Sequence, residues 1–493
     1  MSGNVVVVGG GPTGFMLASE LRLHKVPTIL LERFAEPSGY SRSLTLHARS
    51  AQVFEQRGLH WFEGYPPVPS YNFGLIEIQD YIDPSLLPLL VPQRDIERRL
   101  EERAASLGAD IRRGQTVVGL RQDQDGVDVT VEQEDGTVYQ LRADYVVGCD
   151  GGGSTVRKLA GIGFPGTSST ANGLTADVIT ADKQGFVSPT LNQNGMFAVV
   201  PLGPELYRVT ALELGVEGSR DGVEPTVQEF QEKFKRVSGS ELGILNTGEI
   251  RWLSRFGNAT RLADSYREGR VLLAGDSCHI HFPVSGQGLN TGIQDALNLG
   301  WKLAAQVNGW ATPGLLDTYE AERRPVGARV CWNTRAQDAL LHPLDRLEPL
   351  RGLLGELVRL EAVNRYLTDM VTGVGIRYDV TVFGTDPGES SLLGRTVPDD
   401  VVASATAANG GVSPLFEGRG LLLSWEEEES PKATAADWEG RVDPTIMPRP
   451  AGVAAAVLLV RPDGYVVHAD PTGDPESLRQ ALAAWFGVPA TIS

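Results

Sequence analysis

The sequence predicts an α/β fold that combines a parallel sheet with helical crossovers, an inserted sheet-rich domain and a separate C-terminal domain. Three observations support this prediction. The chain opens with a pattern of strand, glycine turn, helix and strand. Short alternating strands dominate residues 175–269. After a stretch at 385–400 that is rich in Gly, Ser, Pro and Asp, a new series of hydrophobic segments begins. Such changes of pattern indicate a mixed α/β architecture with more than one domain.

The first unit is a βαβ motif. Val5–Val8 is an apolar run that predicts a buried parallel strand, and Thr28–Leu31 predicts a second one. The glycine turn Gly9-Gly10-Gly11-Pro12-Thr13-Gly14 and a helix predicted over Phe15–His24 lie between them. Glu32, eighteen positions after Gly14, stands where a Rossmann fold places the acid that binds a ribose hydroxyl. The unit therefore predicts a dinucleotide site in a Rossmann-like domain.

Two further glycine-bearing segments follow predicted strands. Asp150-Gly151 comes after Tyr145–Val147, and Gly275-Asp276 comes after Val271–Ala274. A stretch from Pro283 to Gly292 then leads into a long helix. Glycine turns and helix N-termini favour phosphate and other negative charge, so the three segments in this order predict one FAD site.

The remaining patterns define the domains. Pro92 predicts a helix start, which places Gln93 in the first turn. Strands are predicted at Met196–Pro201 and Tyr207–Leu212, and an amphipathic helix at Val227–Val237. We predict a discontinuous FAD-binding domain at 1–174 and 270–384, a substrate-binding domain at 175–269 with a contribution from 71–91, and a C-terminal domain at 385–493.

Composition narrows the function classes. The 493-residue chain has a formal net charge of -18, which argues against binding to nucleic acid or to an anionic membrane. Cys149, Cys278 and Cys331 show no dithiol or zinc-ligand spacing, so free thiols and no metal site are expected. No run approaches the ~20 apolar residues of a membrane span, and a cytoplasmic protein is predicted. The acidic run Glu426–Glu429 is predicted to be a solvated loop.

The three glycine segments, with Ser154, Arg157 and His279, resemble the fingerprints of class A flavoprotein monooxygenases, the aromatic hydroxylases related to para-hydroxybenzoate hydroxylase. Ser41–Arg49, Phe256–Arg261 and Gln294–Lys302 are similar to the branch that tailors aromatic polyketides in actinomycetes. Val460–Gly464 resembles that branch's thioredoxin-like C-terminal domain. Without a cysteine beyond Cys331, this domain is expected to be structural or an oligomer contact, which leaves a homodimer open.

The resemblance implies a reaction. NADPH would reduce FAD, the reduced flavin would capture O2 as a C4a-hydroperoxide, and one oxygen would pass to the electron-rich ring of a polycyclic aromatic polyketide. Sequence leaves two alternatives open. The same fold supports Baeyer-Villiger oxidation of a similar polyketide, and a redox-silent, flavin-binding scaffold protein is the alternative outside the monooxygenases.

The resemblance also implies roles for particular residues. Glu32 would bind the adenosine ribose with Arg33 nearby, Gln93 would lie along the ribityl chain or ring, and Asp276 would bind the ribityl or pyrophosphate region. Arg42 and Arg49 would lie near the isoalloxazine and are the candidates for catalysis, while Asp150 would support the fold and the NADPH path. The predicted cofactor-binding set is Gly9, Gly11, Pro12, Thr13, Gly14, Glu32, Arg33, Arg42, Gln93, Asp150, Asp276, Pro283, Gly286, Gly288, Leu289 and Asn290.

The substrate site is expected beneath the inserted domain. Apolar side chains from that domain and from the 71–91 stretch are predicted to line it. The predicted set is Phe73, Met196, Phe197, Val199 and Pro201. No catalytic base is assigned, because His47, His279 and His281 lie beside glycine loops, where a histidine more often hydrogen-bonds backbone than transfers protons.

Overall fold

The computed structural model describes residues 4–78, 81–182, 185–216, 223–239, 248–388, 390–425 and 430–489. The acidic run Glu426–Glu429 lies outside the described residues. No helix in the described ranges combines the length and apolarity needed to cross a membrane. All three cysteines are free thiols.

The N-terminal part carries the glycine turn between its first strand and first helix. Its elements are β1 (Val5–Val8), α1 (Pro12–Leu23), β2 (Thr28–Glu32), β3 (Thr45–Leu46), α2 (Ala48–Gln56), β4 (Tyr71–Phe73), β5 (Ile76–Ile78), β6 (Leu89–Leu90), α3 (Gln93–Ser106), β7 (Asp110–Arg113), β8 (Gln115–Gln122), β9 (Val127–Gln133), β10 (Val138–Ala143), β11 (Tyr145–Gly148) and α4 (Thr155–Leu159). A 3-10 turn occupies Pro84–Leu86. The predicted βαβ unit and the placement of Gln93 at a helix start are confirmed.

The middle of the chain is dominated by strands. Its elements are β12 (Gly166–Thr167), β13 (Ala171–Ile179), β14 (Val187–Asn192), β15 (Gly195–Pro201), β16 (Leu206–Leu214), α5 (Val227–Ser238), β17 (Glu249–Phe256) and β18 (Thr260–Leu262). β13 to β17 form one antiparallel sheet in the order β14-β15-β16-β13-β17, which we call the roof sheet. Phe230 and Phe234 of α5 pack against one face of it.

The third part returns to the first sheet and then becomes helical. Its elements are β19 (Arg267–Glu268), β20 (Val271–Leu273), β21 (His279–Ile280), α6 (Gln287–Val307), α7 (Thr318–Asp338), α8 (Leu344–Leu357) and α9 (Glu361–Thr372), with 3-10 turns at Gly275–Ser277 and Val284–Gly286. The central sheet has the order β19-β20-β11-β1-β2-β7 and is parallel except at β19. β1 is buried because α1 packs over it and neighbouring strands flank it on both sides.

The C-terminal part has its own core. Its elements are α10 (Asp399–Ala408), β22 (Gly420–Trp425), α11 (Ser430–Ala435), β23 (Val442–Met447), β24 (Val457–Val460), β25 (Val466–Asp470) and α12 (Pro475–Phe486), with a 3-10 turn at Ala436–Trp438. The four strands form a mixed sheet in the order β23-β22-β24-β25. Trp301 of α6 lies in the same apolar cluster, so the two parts of the chain share a packed interface.

Candidate functional site

The three glycine segments meet at the ends of β1, β11 and β20. Gly9 has φ +113°, and a Cβ there would overlap the carbonyl oxygen of Cys149, just before Asp150. A Cβ on Gly275 would lie 2.7 Å from Oγ1 of Thr13, so Thr13 packs directly on the third segment. The fold therefore brings together three segments that are far apart in the sequence.

Gly11 is the residue of the glycine turn that has free space beside its backbone. Its backbone is extended, and a Cβ on it would meet nothing within 4 Å. A Cβ on Gly14 would instead overlap the carbonyl oxygen of Gly9. Because Pro12 begins α1 and has no N–H, and the N–H of Phe15 donates to the carbonyl oxygen of Gly11, the free N–H groups within the first turn belong to Thr13 and Gly14. This open backbone beside a helix N-terminus fits the pyrophosphate of a dinucleotide.

Glu32 ends β2 beside this turn. Its Oε2 accepts a hydrogen bond from the N–H of Gly10 at 2.6 Å, and its Oε1 accepts one from the N–H of Phe34 at 2.9 Å. Arg33 is exposed, with its guanidinium carbon 4.5 Å from the centre of the Phe34 ring. The carboxylate thus lies at the mouth of the glycine turn, and its contact with a ribose stays a prediction.

Gln93 holds the segment that contains Arg42. Its Oε1 accepts from the N–H of Ser43 at 3.1 Å, and its Nε2 donates to Glu97 at 2.7 Å. Burial raises the pKa of Glu97, and the positive charge of the exposed Arg42 opposes that rise. Gln93 is therefore tied to protein groups on both ends, while Arg42 remains available at the surface.

The third segment presents a carboxylate to the start of α6. Asp276 is exposed, and its carboxylate makes no hydrogen bond or ion pair within the described residues. A Cβ on Gly288 would lie 3.8 Å from Asp276 Oδ1, which places this carboxylate close to the first turn of α6. That turn runs through Gly288 and Leu289, and its free N–H groups carry the partial positive charge of a helix N-terminus. The exposed Pro283 precedes it.

Asn290 joins α6 to the loop before α2. Its Oδ1 accepts from the N–H of His47 at 2.8 Å, and its Nδ2 donates to the carbonyl oxygens of Thr45 at 3.2 Å and Gly286 at 2.8 Å. The residue is 2% exposed. The Asn290 side chain therefore has a structural role, and any contact with a cofactor must come from its backbone.

Asp150 acts as the cap of α4. Its Oδ1 accepts from Ser154 Oγ at 2.5 Å, and its Oδ2 accepts from the N–H groups of Thr155 and Val156 at 2.7 and 3.1 Å. Arg157 in the same helix donates to the carbonyl oxygen of Ser277 at 2.9 Å. Asp150 thus supports the fold as expected, and its part in an NADPH path stays a prediction.

Arg49 requires a correction. The sequence placed it near the isoalloxazine as a candidate for catalysis, but its side chain points to the C-terminal domain. Nη2 donates to the carbonyl oxygen of Asp463 at 2.8 Å, and the guanidinium carbon lies 5.5 Å from the centre of the Tyr465 ring. Arg49 is 1% exposed, so it has almost no surface to offer a bound molecule.

Three of the predicted substrate residues lie on the face of the roof sheet that packs against α5. Phe197, Val199 and Pro201 alternate along β15 on the side that faces α5. Phe197 makes an edge contact with Phe234 of α5, with ring centres 5.9 Å apart. These residues pack the interior of the inserted domain, because successive side chains of a strand point to opposite faces.

Phe73 is also part of a different core. It is buried in a cluster with side chains of α7, α8 and α9 and of the turns that follow α7 and α8, including Leu340, Val358 and Leu367. The β4-β5 hairpin packs against helices and pairs with no strand of the roof sheet, but Leu75 at its turn lies in the apolar cluster that contains Met196. A second link is made by Ser285 Oγ, which donates to the carbonyl oxygen of Asn72 at 2.9 Å. The contribution of 71–91 to the substrate domain stays a prediction.

Met196 is the predicted substrate residue that lies on the other face of the roof sheet. It packs in a cluster that contains Phe282 and Val284, which immediately precede the first turn of α6. Leu212, opposite Met196 in the register, and Phe256 belong to the same cluster. This apolar patch is the part of the roof sheet that approaches the glycine segments.

Sequence reasoning missed the polar residues on this face. Thr175 and Thr210 pair through their Oγ1 atoms at 3.1 Å. Next to them, Arg208 Nε donates to Asp177 Oδ1 at 2.5 Å, and both residues are 4% exposed. The alternation Arg208, Thr210, Leu212 along β16 was the available signal, since these positions share a face.

Two of the three histidines beside the loops are buried in the structure. Burial lowers the pKa of His47 to about 4. His279 Nε2 lies 2.8 Å from Asp295 Oδ2, and Arg323 donates to the other oxygen of that carboxylate at 2.7 Å. His281 is partly exposed, and burial lowers its pKa as well. The contacts of His47 and His279 are those of structural residues.

A buried charge cluster, which was not predicted from the sequence, joins the C-terminal domain to α6 and α7. Glu322 accepts from Arg461 at 2.6 and 2.8 Å and from Lys302 at 2.7 Å. Arg461 also pairs with Asp463, next to the turn that Arg49 contacts. Burial alone would raise the pKa of Glu322, but Arg461 and Lys302 lower it to about 2.

Comparison with protein families gives two matches that divide the chain. Residues 3–334 match the family described as FAD binding domain, and residues 390–489 match the family described as aromatic-ring hydroxylase, C-terminal. The first match contains all three glycine segments and the whole roof sheet.

Several known proteins are similar over the full length. The chain is 44% identical to a rifampicin monooxygenase of Streptomyces venezuelae, over 98% of each chain. The solved structure of OxyS anhydrotetracycline hydroxylase from Streptomyces rimosus is 40% identical, with a TM-score of 0.89 over 99% of this chain and all of that one. The structure of the Diels-Alderase PyrE3 of pyrroindomycin biosynthesis is 37% identical, with a TM-score of 0.83 over the same shares.

Proposed function

Since this chain belongs to the FAD-dependent aromatic-ring hydroxylase family, as its three glycine motifs predicted, we propose that it is a single-component monooxygenase that uses FAD and NADPH to hydroxylate a polycyclic aromatic polyketide. The observation that carries the proposal is the meeting of the three glycine segments around the open backbone of Gly11, beside the Met196 face of the roof sheet.

The residues around Gly11 fit FAD. When bound, FAD supplies the redox chemistry, by accepting hydride from NADPH and activating O2. Gly11 and the N–H groups of Thr13 and Gly14 would hold the pyrophosphate, and Glu32 would hold the adenosine ribose. The unpaired carboxylate of Asp276 is suited to accept hydrogen bonds from the hydroxyls of the ribityl chain.

The start of α6 would stabilise negative charge on the ring system. The N–H groups of Gly288 and Leu289 are among the first four of the helix, which have no carbonyl partner within it, and the helix dipole adds partial positive charge at the same end. Gly286 supports this arrangement, since its φ of +64° lets the chain turn sharply into the helix. Arg42 would contribute a positive charge from the surface.

The Met196 face of the roof sheet suits a flat aromatic substrate. Met196, Leu212 and Phe256 supply an apolar surface that would exclude water from the reacting ring. Thr175 and Thr210 supply hydroxyl groups on the same face, which can donate to or accept from a phenol or ketone of the substrate. An apolar wall with a few polar groups is the usual composition of a small-molecule site.

The domain assignment belongs to the same proposal. The parallel order β20-β11-β1-β2-β7 supports a Rossmann-like FAD domain at 1–174 and 270–384. The order β23-β22-β24-β25, with β22 and β23 parallel and the others antiparallel, supports a thioredoxin-like domain at 385–493. The roof sheet begins at Ala171, four residues before the predicted start of the substrate domain. The cytoplasmic location stays a prediction.

The test uses the full-length protein loaded with FAD. NADPH loss is followed with a panel of polycyclic phenols under 18O2, and the product is expected to carry one labelled oxygen as a new phenol. Replacement of the phenol by a labelled ester or lactone would identify Baeyer-Villiger oxidation instead. Failure to bind FAD on titration would contradict the whole proposal.

A second function is favoured by one relative. The 37% identical protein PyrE3 is named a Diels-Alderase, a class of reaction that needs no net oxidation. The same assay separates the two functions, because a pericyclic enzyme converts its substrate without NADPH or O2 and leaves no label in the product. A protein that binds FAD but converts no substrate and consumes no NADPH would be the predicted scaffold.

A further inference from the structure

The turn before α6 contains two successive residues in the left-handed region. Ser285 has φ +59° and ψ +12°, and Gly286 has φ +64° and ψ +28°. Glycine adopts this conformation without steric cost, but a serine there has its Cβ too close to the following carbonyl oxygen. In the described part of the chain, the other non-glycine residues with a positive φ are Lys25, Leu75 and Tyr81. Strained backbone of this kind persists only where surrounding contacts fix it.

The hydroxyl of Ser285 supplies such contacts. Its single hydrogen is shared between two acceptors, the carbonyl oxygen of Asn72 at 2.9 Å and Gln337 Oε1 at 2.8 Å. The N–H of Gly74 also donates to Gln337 Oε1, at 3.0 Å, and this backbone donor fixes the orientation of the Gln337 amide. Glycine or alanine at position 285 could form neither hydroxyl contact.

α7 holds the other end of the same turn. Gln287, the first residue of α6, exchanges two hydrogen bonds with Asn333, both at 3.0 Å. Gln337, one helical turn further along α7, donates to Asn333 Oδ1 at 2.9 Å. The three amide side chains are at most 2% exposed. The residues on both sides of Gly286 are therefore fixed to one helix through buried hydrogen bonds.

The loop before α2 closes the opposite side of the turn. The His47 ring hydrogen-bonds the backbone of Ser285, and a Cβ on Gly286 would overlap Oγ1 of Thr45. The turn is thus confined between α7 and this loop. While Ser285 keeps its bonds, the backbone has little freedom to adopt another conformation.

Gln337 also connects this turn to the predicted substrate wall. Gly74, which shares Gln337 Oε1 with Ser285, precedes Leu75 at the tip of the β4-β5 hairpin. Leu75 packs in the apolar cluster that contains Met196. One buried amide oxygen therefore supports both the turn into α6 and the tip of the hairpin.

The conformation of the turn determines where the first N–H groups of α6 point. Those of Gly288 and Leu289 have no carbonyl partner within the helix. Hydrogen-bond donors stabilise developing charge best when they are oriented before the charge appears, because no reorganisation is then needed. A turn that is fixed by protein contacts alone keeps these donors oriented at all times.

We propose that Ser285 is a positioning residue of the cofactor site: its hydroxyl, anchored to Gln337 and Asn72, holds the turn so that the first N–H groups of α6 are aimed at negative charge on the flavin ring. The inference rests on the proposed FAD site, but not on the substrate or the reaction. Because reduction adds negative charge to the ring, the anchored turn favours reduced over oxidised FAD.

The first test measures the midpoint potential of FAD bound to the full-length protein, by anaerobic titration against a reference dye without substrate. Ser285→Gly and Ser285→Ala should each lower the preference for reduced over oxidised FAD about tenfold, which is about 30 mV for a two-electron couple. A potential that is unchanged or raised in both variants would overturn the proposal.

The same titration separates this inference from the proposed function. If the unaltered protein bound no FAD, the proposed function and the role of Ser285 would both be rejected. If FAD bound normally and the Ser285 variants kept the potential of the unaltered protein, only the role of Ser285 would be rejected.

Lys25→Gly is the matched control. Lys25 has φ +61° and is exposed, and it lies beyond the end of α1 that is opposite the glycine turn. The change relieves the same kind of backbone strain and should leave the potential unchanged. Thermal unfolding of the FAD-free variants provides the second readout. A Ser285 variant that loses stability without a shift in potential would show that the hydroxyl only packs the hairpin, against the proposal.

The second test asks whether Ser285 acts through Gln337. Gln337→Met keeps a side chain of similar size but removes the acceptor oxygen, and it should lower the potential as Ser285→Ala does. The two shifts should not add in the double variant S285A/Q337M, because both changes remove the same bond. Fully additive shifts would contradict the anchor. Should Gln337→Met not fold, the two Ser285 variants still decide the proposal.

Discussion

Arg208 Nη2 donates a hydrogen bond to the carbonyl oxygen of Ser41 at 2.6 Å, which joins the roof sheet to the segment that carries Arg42. On its other side, Ser41 Oγ accepts from the N–H of Arg94 at the start of α3. Asp177 neutralises Arg208, and the ring of Trp252 lies 4.7 Å from the guanidinium carbon. The segment before Arg42 is therefore fixed between the roof sheet and the start of α3.

The first prediction is that this link controls FAD binding more than folding. The double variant D177N/R208Q removes both charges together, so no buried charge is left without a partner. We expect a folded protein whose FAD dissociation constant rises about tenfold, because Arg42 and its neighbours lose their anchor. Fluorescence titration with FAD provides the measurement.

The control for that prediction lies on the opposite face of the same sheet. Arg255 pairs with Glu229 of α5, with Nη1 to Oε1 at 2.6 Å, and does not contact the Ser41 segment. E229Q/R255Q should leave FAD binding unchanged. Equal losses in the two double variants would mean that general loosening of the roof sheet, and not the Ser41 contact, is responsible.

The N-terminal unit shows what local sequence determines well. The apolar run Val5–Val8, the glycine turn and the position of Glu32 follow from steric and hydrogen-bonding rules that act over a few residues, and the structure reproduces them. Two strands of the inserted domain, β15 and β16, and its helix α5 were also predicted, because their periodicities are local. The course of the helical stretch α7 to α9 was not predicted.

The two faces of the roof sheet show what the local sequence cannot determine. Alternation along β15 separates Met196 from Phe197 and Val199, but it does not state which set faces the cofactor domain. That choice depends on where α5 packs, which is a long-range contact. The prediction for Arg49 was wrong for the same reason, since its hydrogen-bond partner Asp463 lies more than four hundred residues away in the sequence.

The second prediction contrasts two glycines of the first turn. Gly11→Ala adds a Cβ where nothing lies within 4 Å, so the FAD-free protein should keep its stability within about 0.5 kcal/mol. Its FAD affinity should fall about tenfold or more, because the methyl group occupies the approach of the pyrophosphate. Thermal unfolding of the FAD-free protein and FAD titration measure the two effects separately.

Gly14→Ala is the comparison for Gly11→Ala. Its methyl group would overlap the carbonyl oxygen of Gly9, so the FAD-free protein itself should be destabilised. If Gly11→Ala bound FAD as tightly as the unaltered protein, the pyrophosphate would have to lie elsewhere.

The third prediction contrasts two aspartates. Asp276→Asn should weaken FAD binding while leaving the unfolding free energy nearly unchanged, because its carboxylate has no protein partner among the described residues. Asp150→Asn should instead lower the unfolding free energy by about 1 kcal/mol, because Asp150 caps α4. Urea denaturation with and without FAD provides both numbers. The reverse ranking of the two variants would contradict the assignment of Asp276 to the cofactor.

The fourth prediction concerns mild acid. Burial lowers the pKa of His24 and His47 to about 4 from an ordinary value of 6.5, and it lowers the pKa of His281 and His468 as well. The unfolded chain therefore binds more protons than the folded one between pH 4 and 6.5, so stability should fall as the pH is lowered through this range. Each such histidine contributes a slope of up to about 1.4 kcal/mol per pH unit.

His47→Gln tests this by removing one titrating ring while keeping a side chain that can hydrogen-bond. The unfolding free energy of this variant should depend less steeply on pH than that of the unaltered protein. A slope that is unchanged between pH 4 and 6.5 would mean that His47 is already protonated in the folded state.

The buried cluster of Glu322, Lys302 and Arg461 has a consequence for chimeric proteins. Glu322 is neutralised by Lys302 of its own half and by Arg461 of the C-terminal domain, and removing one partner of such a buried pair costs about 3–5 kcal/mol. An exchange of C-terminal domains between relatives should succeed only where the donor preserves the arginine at position 461 and the acid at 463. Compatibility between the halves thus depends on a few buried residues at their interface, and we expect a cut at the domain boundary to leave buried charges without partners.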